Sequence, residues 1–108
     1  MNLPKEKGTL KRMRDARLGN LHNIGPCLAG SLVKFPKHNS LYLTDKVKGK
    51  TRTLYIPLDR LDEVKQWNAN HKQAKQLLDE LNQIQRALLH GEIQAARLSQ
   101  GLNSTSRP

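Results

Sequence analysis

Leu41-Tyr-Leu-Thr-Asp-Lys-Val-Lys-Gly-Lys-Thr-Arg-Thr-Leu-Tyr-Ile56 reads as two strands and a turn. Two runs rich in β-branched and aromatic residues flank the two-residue loop Lys48-Gly49, which is the pattern of a β-hairpin. Folding there sets Val47 opposite Lys50, Asp45 opposite Arg52, Leu43 opposite Leu54 and Leu41 opposite Ile56. The other face pairs Tyr42 with Tyr55, Thr44 with Thr53 and Lys46 with Thr51. The pairs match in chemistry, and a slip of one residue would mix the two faces, so the register is well specified. Leu41, Leu43, Leu54 and Ile56 form a greasy face that belongs on a core. The opposite face is polar with two tyrosines, and the tip carries Lys46, Lys48, Lys50 and Arg52.

Working outward, Ser31-Leu-Val-Lys-Phe35 alternates enough to be a third strand, and Pro36-Lys-His-Asn39 is turn chemistry that leads back into Leu41. A three-stranded antiparallel sheet with one apolar face needs a cover. Downstream, Asp59 can cap a helix, with Asp62 completing a weak capping box. Leu61, Val64, Trp67, His71, Ala74, Leu78, Leu81 and Leu88 then recur every three or four residues, flanked by Leu77, Ile84 and Leu89. The pattern predicts an amphipathic helix of roughly 30 residues, about 45 Å long. It would overhang strands of roughly 20 Å. Either it bends near Asn68-Ala-Asn70, or its distal half pairs with another helix. The rhythm suits a coiled-coil seam through Ala74, Leu78, Leu81 and Leu88, with Asn70, His71 and Gln85 tuning register, and a homodimer is expected. Alternatively the N-terminal helix fills the distal groove and makes a monomeric bundle. Gly91 is a candidate interruption before Glu92–Gln100.

On the other side, residues 1–9 read as a mobile arm. Leu10 to Leu18 is weakly helical, with Thr9 as N-cap and Gly19-Asn20 as stop. It carries Lys11, Arg12, Arg14 and Arg17. Gly25-Pro26 and Gly30 punctuate the chain before the sheet, and the Ser/Thr-rich end from residue 102 to 108 reads as disordered. The expected organisation is therefore α+β: a single small domain over 10–101, its basic helix and loop at 10–30, sheet at 31–56 and helical region at 59–100.

The chain has 108 residues, 36% of them hydrophobic and 4% aromatic, and a net charge of +10. That size bounds the core to a modest one. The charge is uneven: residues 1–56 hold 12 Lys and Arg against 3 Asp and Glu, and residues 57–108 hold 7 against 6. A basic half joined to a balanced half suggests a polyanion contact on one and packing on the other. No run approaches the ~20 apolar residues of a membrane span. Neither a secretory signal nor a disulfide is expected, since Cys27 stands alone, and this points to the cytoplasm.

Chemistry for catalysis is sparse. His22, His38, His71 and His90 share no metal-ligand spacing, and no metal or cofactor is expected. Cys27 lacks a Cys-x-x-Cys partner, no Gly-rich phosphate loop precedes a helix, and Asp59, Asp62 and Glu63 suit a helix start. An enzyme, including a catalytic transposase, is not expected from so short a chain without convergent acidic residues. Binding has more behind it. A two-stranded ribbon fits the major groove, Tyr42 and Tyr55 can stack on bases, and Lys46, Lys48, Lys50 and Arg52 can meet phosphates. Lys11, Arg12, Arg14 and Arg17 add to that count. Edge lysines also keep sheets from pairing, so the same residues suit a merely soluble hairpin.

The segments Gly30-Ser-Leu-Val-Lys, Tyr42-Leu, Lys48-Gly-Lys-Thr-Arg-Thr, Tyr55-Ile-Pro57, Val64-x-x-Trp67 and the Leu-rich helix to Leu89 carry a resemblance. Over about residues 24–90 the chain resembles an uncharacterised family of short bacterial proteins often encoded beside transposases. That family usually has a cysteine-rich knuckle and a His-Gly-Pro-Tyr segment between the first two strands. Here the region is reduced to Phe35-Pro-Lys-His-Asn-Ser40, without a cysteine, and no metal role transfers. The resemblance implies a mobile-element context, a transposase or other protein partner, and an accessory role facing nucleic acid, with DNA favoured over RNA. It brings no catalytic residue. The rival expectation is a protein-interaction module that acts through the long helix, its basic charge incidental.

Overall fold

Lys7–His22 forms helix α1, Ser31–Phe35, Ser40–Val47 and Lys50–Ile56 form strands β1, β2 and β3, and Leu61–Asn103 forms helix α2. This is the α+β class that the sequence predicts. The computed structural model describes residues 1–36 and 39–103, the side chains as far as residue 100. Part of the turn read at 36–39 and all but the start of the tail read at 102–108 lie outside the described residues. Where the sequence suggests one domain over 10–101, the chain gathers into two compact units, Asn23–Gln76 and Met1–His22 with the residues from Leu77 on.

In the unit Asn23–Gln76 the sheet is antiparallel with β2 at its centre, in the order β1-β2-β3. The β2–β3 register is the one expected, from Leu41 opposite Ile56 to Val47 opposite Lys50. Lys48 and Gly49 have φ of 51° and 79°. Two successive positive φ values mark a type I′ turn, whose twist matches that of the strands it joins. Leu43 and Ile56 are buried with Val64 from the first turns of α2, and Leu28, Leu32 and Leu61 pack around them. The helix thus covers the greasy face. The cover stops short of the tip: Leu54 stays exposed and, with Leu28, Leu43, Asp45 and Arg52, lines a shallow cleft of about 390 Å³.

Three local readings give way to other arrangements. Asp59 does not cap α2; it lies in a 3-10 turn, Leu58–Arg60, that starts from Pro57 without a side-chain cap, and Arg60 donates its N–H to the Pro57 carbonyl at 3.0 Å. Arg60 pairs with Glu63 at 2.6 Å one turn later. At Asn68 and Asn70, where a bend into two helices is one expectation, α2 runs on without interruption. Asn68 Nδ2 donates to the carbonyls of Leu28 at 3.0 Å and Gly30 at 2.8 Å, and Asn70 Nδ2 donates to Pro26 at 2.9 Å. The Leu28 N–H reaches the Trp67 carbonyl at 3.0 Å, and Gln66 Nε2 holds Asn70 Oδ1 at 2.9 Å. Both asparagines are buried, 7% and 8% exposed, and each satisfies its own amide by donating to loop carbonyls. Gly30 ends this loop at φ 122°, with the Thr44 carbonyl oxygen 2.7 Å from where a Cβ would stand. Only glycine fits there.

In the other unit, Leu10 of α1 is buried with Ile84 and Leu88 of α2, and Leu3, Met13 and Ala87 pack against them. This is the alternative in which the N-terminal helix fills the distal groove. Leu88, expected on a seam between copies, is covered by Leu10 of its own chain. Leu3 belongs to this cluster, so the arm read at 1–9 is partly packed, and α1 begins at Lys7 rather than Leu10. α1 also runs through Gly19 to His22, and α2 runs through Gly91 to Asn103. A helical glycine costs about 1 kcal/mol, which neighbouring strong helix formers offset. No helix of the described residues is long and apolar enough to cross a membrane.

Candidate nucleic-acid interface

Strand alternation divides the hairpin's nominated side chains between two faces. Counting from the paired register, Tyr42, Thr44 and Lys46 share one face with Tyr55, Thr53 and Thr51, whereas Asp45, Lys50 and Arg52 share the face that α2 covers further down. Lys48 sits in the turn itself. The four tip cations are therefore not one patch: Lys46 stands on the tyrosine face, and Lys50 and Arg52 on the other.

Arg52 is moreover not a free cation. Its Nε donates to Asp45 Oδ1 at 3.0 Å and its Nη2 to Asp45 Oδ2 at 2.6 Å, a bidentate pair across the strands. Hydrogen bonds from Arg52, and then its charge, hold the Asp45 carboxyl below the usual carboxylate range against partial desolvation. The same hydrogen bond and charge raise Arg52. The pair is electrically neutral at pH 7. Lys46, Lys48 and Lys50 are exposed and form no ion pair among the described residues. Three uncompensated positive charges within five residues are what the tip offers an anion.

The face opposite the helix holds more than the two tyrosines. The β1–β2 register sets Val33 opposite Tyr42 and Phe35 opposite Ser40, which brings Phe35 diagonally against Tyr42. The Phe35 and Tyr42 rings lie 4.6 Å apart between centroids, tilted by 45°, and Tyr42 and Tyr55 lie 5.7 Å apart at 63°. Three of the chain's four aromatic residues thus form one row across all three strands. Phe35 is 38% exposed and Tyr55 55%. Sequence reasoning missed Phe35. Its alternation within Ser31–Phe35 puts it on a face, but which face meets Tyr42 depends on the length of the turn before Ser40.

In the unit that contains α1, the four nominated cations also divide. Arg14 Nε lies 3.1 Å from Asp15 and Arg17 Nη2 lies 3.6 Å from Glu80, a half-buried pair. Lys11 and Arg12 are exposed without an acidic partner among the described residues, Arg12 donating to Thr9 Oγ1 at 3.3 Å. Of the residues nominated for oligomerisation, Ala74 and Leu81 are half-buried, Leu88 is buried, and Leu78 is exposed together with Leu89 and Ile93. Among the described residues no group of three or more His, Cys, Asp or Glu is placed to hold a metal ion, and Cys27 is exposed. Comparison with protein-family models, with curated proteins and with solved structures finds no match to this chain.

Proposed function

We propose that this chain is a non-catalytic nucleic-acid-binding accessory protein that meets phosphates through the tip of its β-hairpin. The observation that carries the reading is the unpaired state of Lys46, Lys48 and Lys50 beside a neutralised Asp45–Arg52 pair. Cations held close together without counter-charges release condensed counterions from a polyanion, which is the main source of non-specific affinity for nucleic acid. Lys11 and Arg12 are a second, smaller cationic site in the other unit. The resemblance noted above supports a mobile-element setting and a transposase as protein partner. The unpaired Cys27 supports the reducing cytoplasm as the place of action.

The test is a salt-titrated gel shift of the full chain with duplex DNA, single-stranded DNA and structured RNA. The reading predicts retention that weakens steeply with salt. Absence of retention on all three, or retention indifferent to salt, would overturn it.

A second reading has an observation of its own. Leu78, Leu89 and Ile93 are exposed on α2 and lie within roughly 60° of one another at about 100° per residue. Exposed apolar side chains on one side of a helix, Leu89 and Ile93 one turn apart and Leu78 about three turns before them, suit a protein-interaction or oligomerisation module. Light scattering that gives a concentration-independent monomer, with salt-sensitive binding to nucleic acid, decides against it.

A further inference from the structure

The aromatic row of the open sheet face has no part in phosphate neutralisation. Both of its edge members are exposed, because α2 covers the opposite face of the sheet. The chain has four aromatic residues, and only Trp67 is elsewhere. A solvent-facing surface that gathers three scarce rings at its base, beside the threonines and lysine nearer the tip, is suited to a flat ligand.

From base to tip this face presents a chemical order. First come Phe35, Tyr42 and Tyr55; then the hydroxyls of Ser31, Thr44 and Thr53; then Thr51 and Lys46; and last Lys48 in the turn. Tyr42 and Lys46 are four residues apart, about 13 Å along a strand. The major groove is about 8.5 Å deep. A hairpin tip entering the groove end-on would leave the aromatic row outside, and a ribbon laid flat in the groove would meet the edges of stacked bases, which offer the rings no free π-face. An unpaired strand lying along the face meets both, with bases on the rings and phosphates on the tip lysines. Nucleic-acid sheets that bind single strands combine those two elements.

We infer that the ligand of this face is a single-stranded polynucleotide whose unpaired bases stack on Phe35, Tyr42 and Tyr55. The inference rests on the hairpin-tip reading and adds the class of nucleic acid to it. Phosphate contacts alone do not distinguish duplex from single strand in this way, whereas stacking requires bases free of their own stack. Tyr42 lies between the other two rings and is half-buried, so it holds the row together, and Phe35 and Tyr55 present the accessible edges.

The experiment measures fluorescence anisotropy of labelled oligo(dT), oligo(U) and a duplex of equal length with the full chain at fixed low salt. The wild type should bind the single strands more tightly than the duplex, the two oligomers showing which sugar is accepted. Phe35→Thr and Tyr55→Thr, which replace each ring by a strand-favouring β-branched residue on an edge strand, should each weaken single-strand binding at least about fivefold. Duplex binding should stay within about twofold, as phosphate contacts are retained. Tyr55→Phe should retain single-strand binding, and Tyr55→Leu, which keeps apolar bulk without a π-face, should lose it even if the threonine variant fails to fold. Equal wild-type affinity for duplex and single strands, or an equal loss on both in the variants, overturns the stacking inference and leaves the phosphate reading standing. No binding to any of the three overturns both.

Discussion

Changing Lys46, Lys48 and Lys50 together to glutamine removes the three tip charges that have no acidic partner, and leaves the strand register and the Asp45–Arg52 pair in place. Each phosphate neutralised contributes roughly 0.7 to 0.9 to the slope of log affinity against log salt. Three such contacts amount to a slope shallower by about 2 to 3 in the variant. Between 50 and 200 mM salt, a fourfold range, the wild type should therefore lose about 15- to 60-fold more affinity than the variant. The control that makes this a structural prediction is Asp45→Asn with Arg52→Gln. Four tip cations counted from the sequence would make Arg52 a contributor, but the bidentate pair is neutral, and deleting both partners leaves the net charge of the tip unchanged. Its slope should match that of the wild type. Anisotropy titrations at four or five salt concentrations on one labelled oligonucleotide supply both numbers. A triple variant with the wild-type slope, or a double variant whose slope falls by about 1, would refute the assignment of charge at the tip.

Four further outcomes concern the scaffold. Gly30→Ala sets a Cβ 2.7 Å from the Thr44 carbonyl at φ 122°, and should cost about 2–3 kcal/mol in urea unfolding; a loss under about 0.5 kcal/mol would show that the loop relaxes freely. Asn68→Ala strands two loop carbonyls, and should cost more than Asn70→Ala, which strands one loop carbonyl and releases the amide of the exposed Gln66 to water, each stranded carbonyl being worth about 1–3 kcal/mol by the same measurement. Ile84→Ala, at 0% exposure, should cost about 2–5 kcal/mol and release α1, seen as faster amide exchange over 7–22 with the hairpin unaffected. The Asp45 carboxyl, depressed by Arg52, should titrate below its ordinary value of about 3.9 and return toward it in Arg52→Gln. The pair's contribution is then full above the unfolded-state value and is lost as pH falls through the lower folded-state one. NMR titration of the side-chain carboxyl checks it, and a midpoint unmoved by Arg52→Gln would contradict the pairing.

How far the sequence discloses this protein depends on whether a feature is local. The hairpin is legible because its register follows from two adjacent strands and a two-residue turn, so each cross-strand pair can be written down from spacing alone. The Asp45–Arg52 pair is legible for the same reason, but its consequence is not: facing positions do not reveal that both carboxylate oxygens are taken. Asn68 and Asn70 show the opposite case. Their partners, Leu28, Gly30 and Pro26, lie about forty residues away in sequence, and within a helical pattern two close asparagines read as a bend or, at Asn70, as register tuning. Phe35 is missed because a β1–β2 connection of uncertain length separates it from Tyr42. Gly19 and Gly91 mislead because a glycine ends a helix only where it takes the left-handed conformation, and neither of these has a positive φ.

In the proposed role the hairpin, not the helices, is the surface that touches a polyanion. An amide chemical-shift map of the isotope-labelled chain titrated with a short oligo(dT) measures this residue by residue. The predicted map has its largest shifts at Lys46–Lys50 and along Phe35, Tyr42 and Tyr55, and leaves the distal half of α2 unmoved. Shifts confined to Lys11 and Arg12 or to the Leu78–Ile93 stripe, with a silent hairpin, would contradict it.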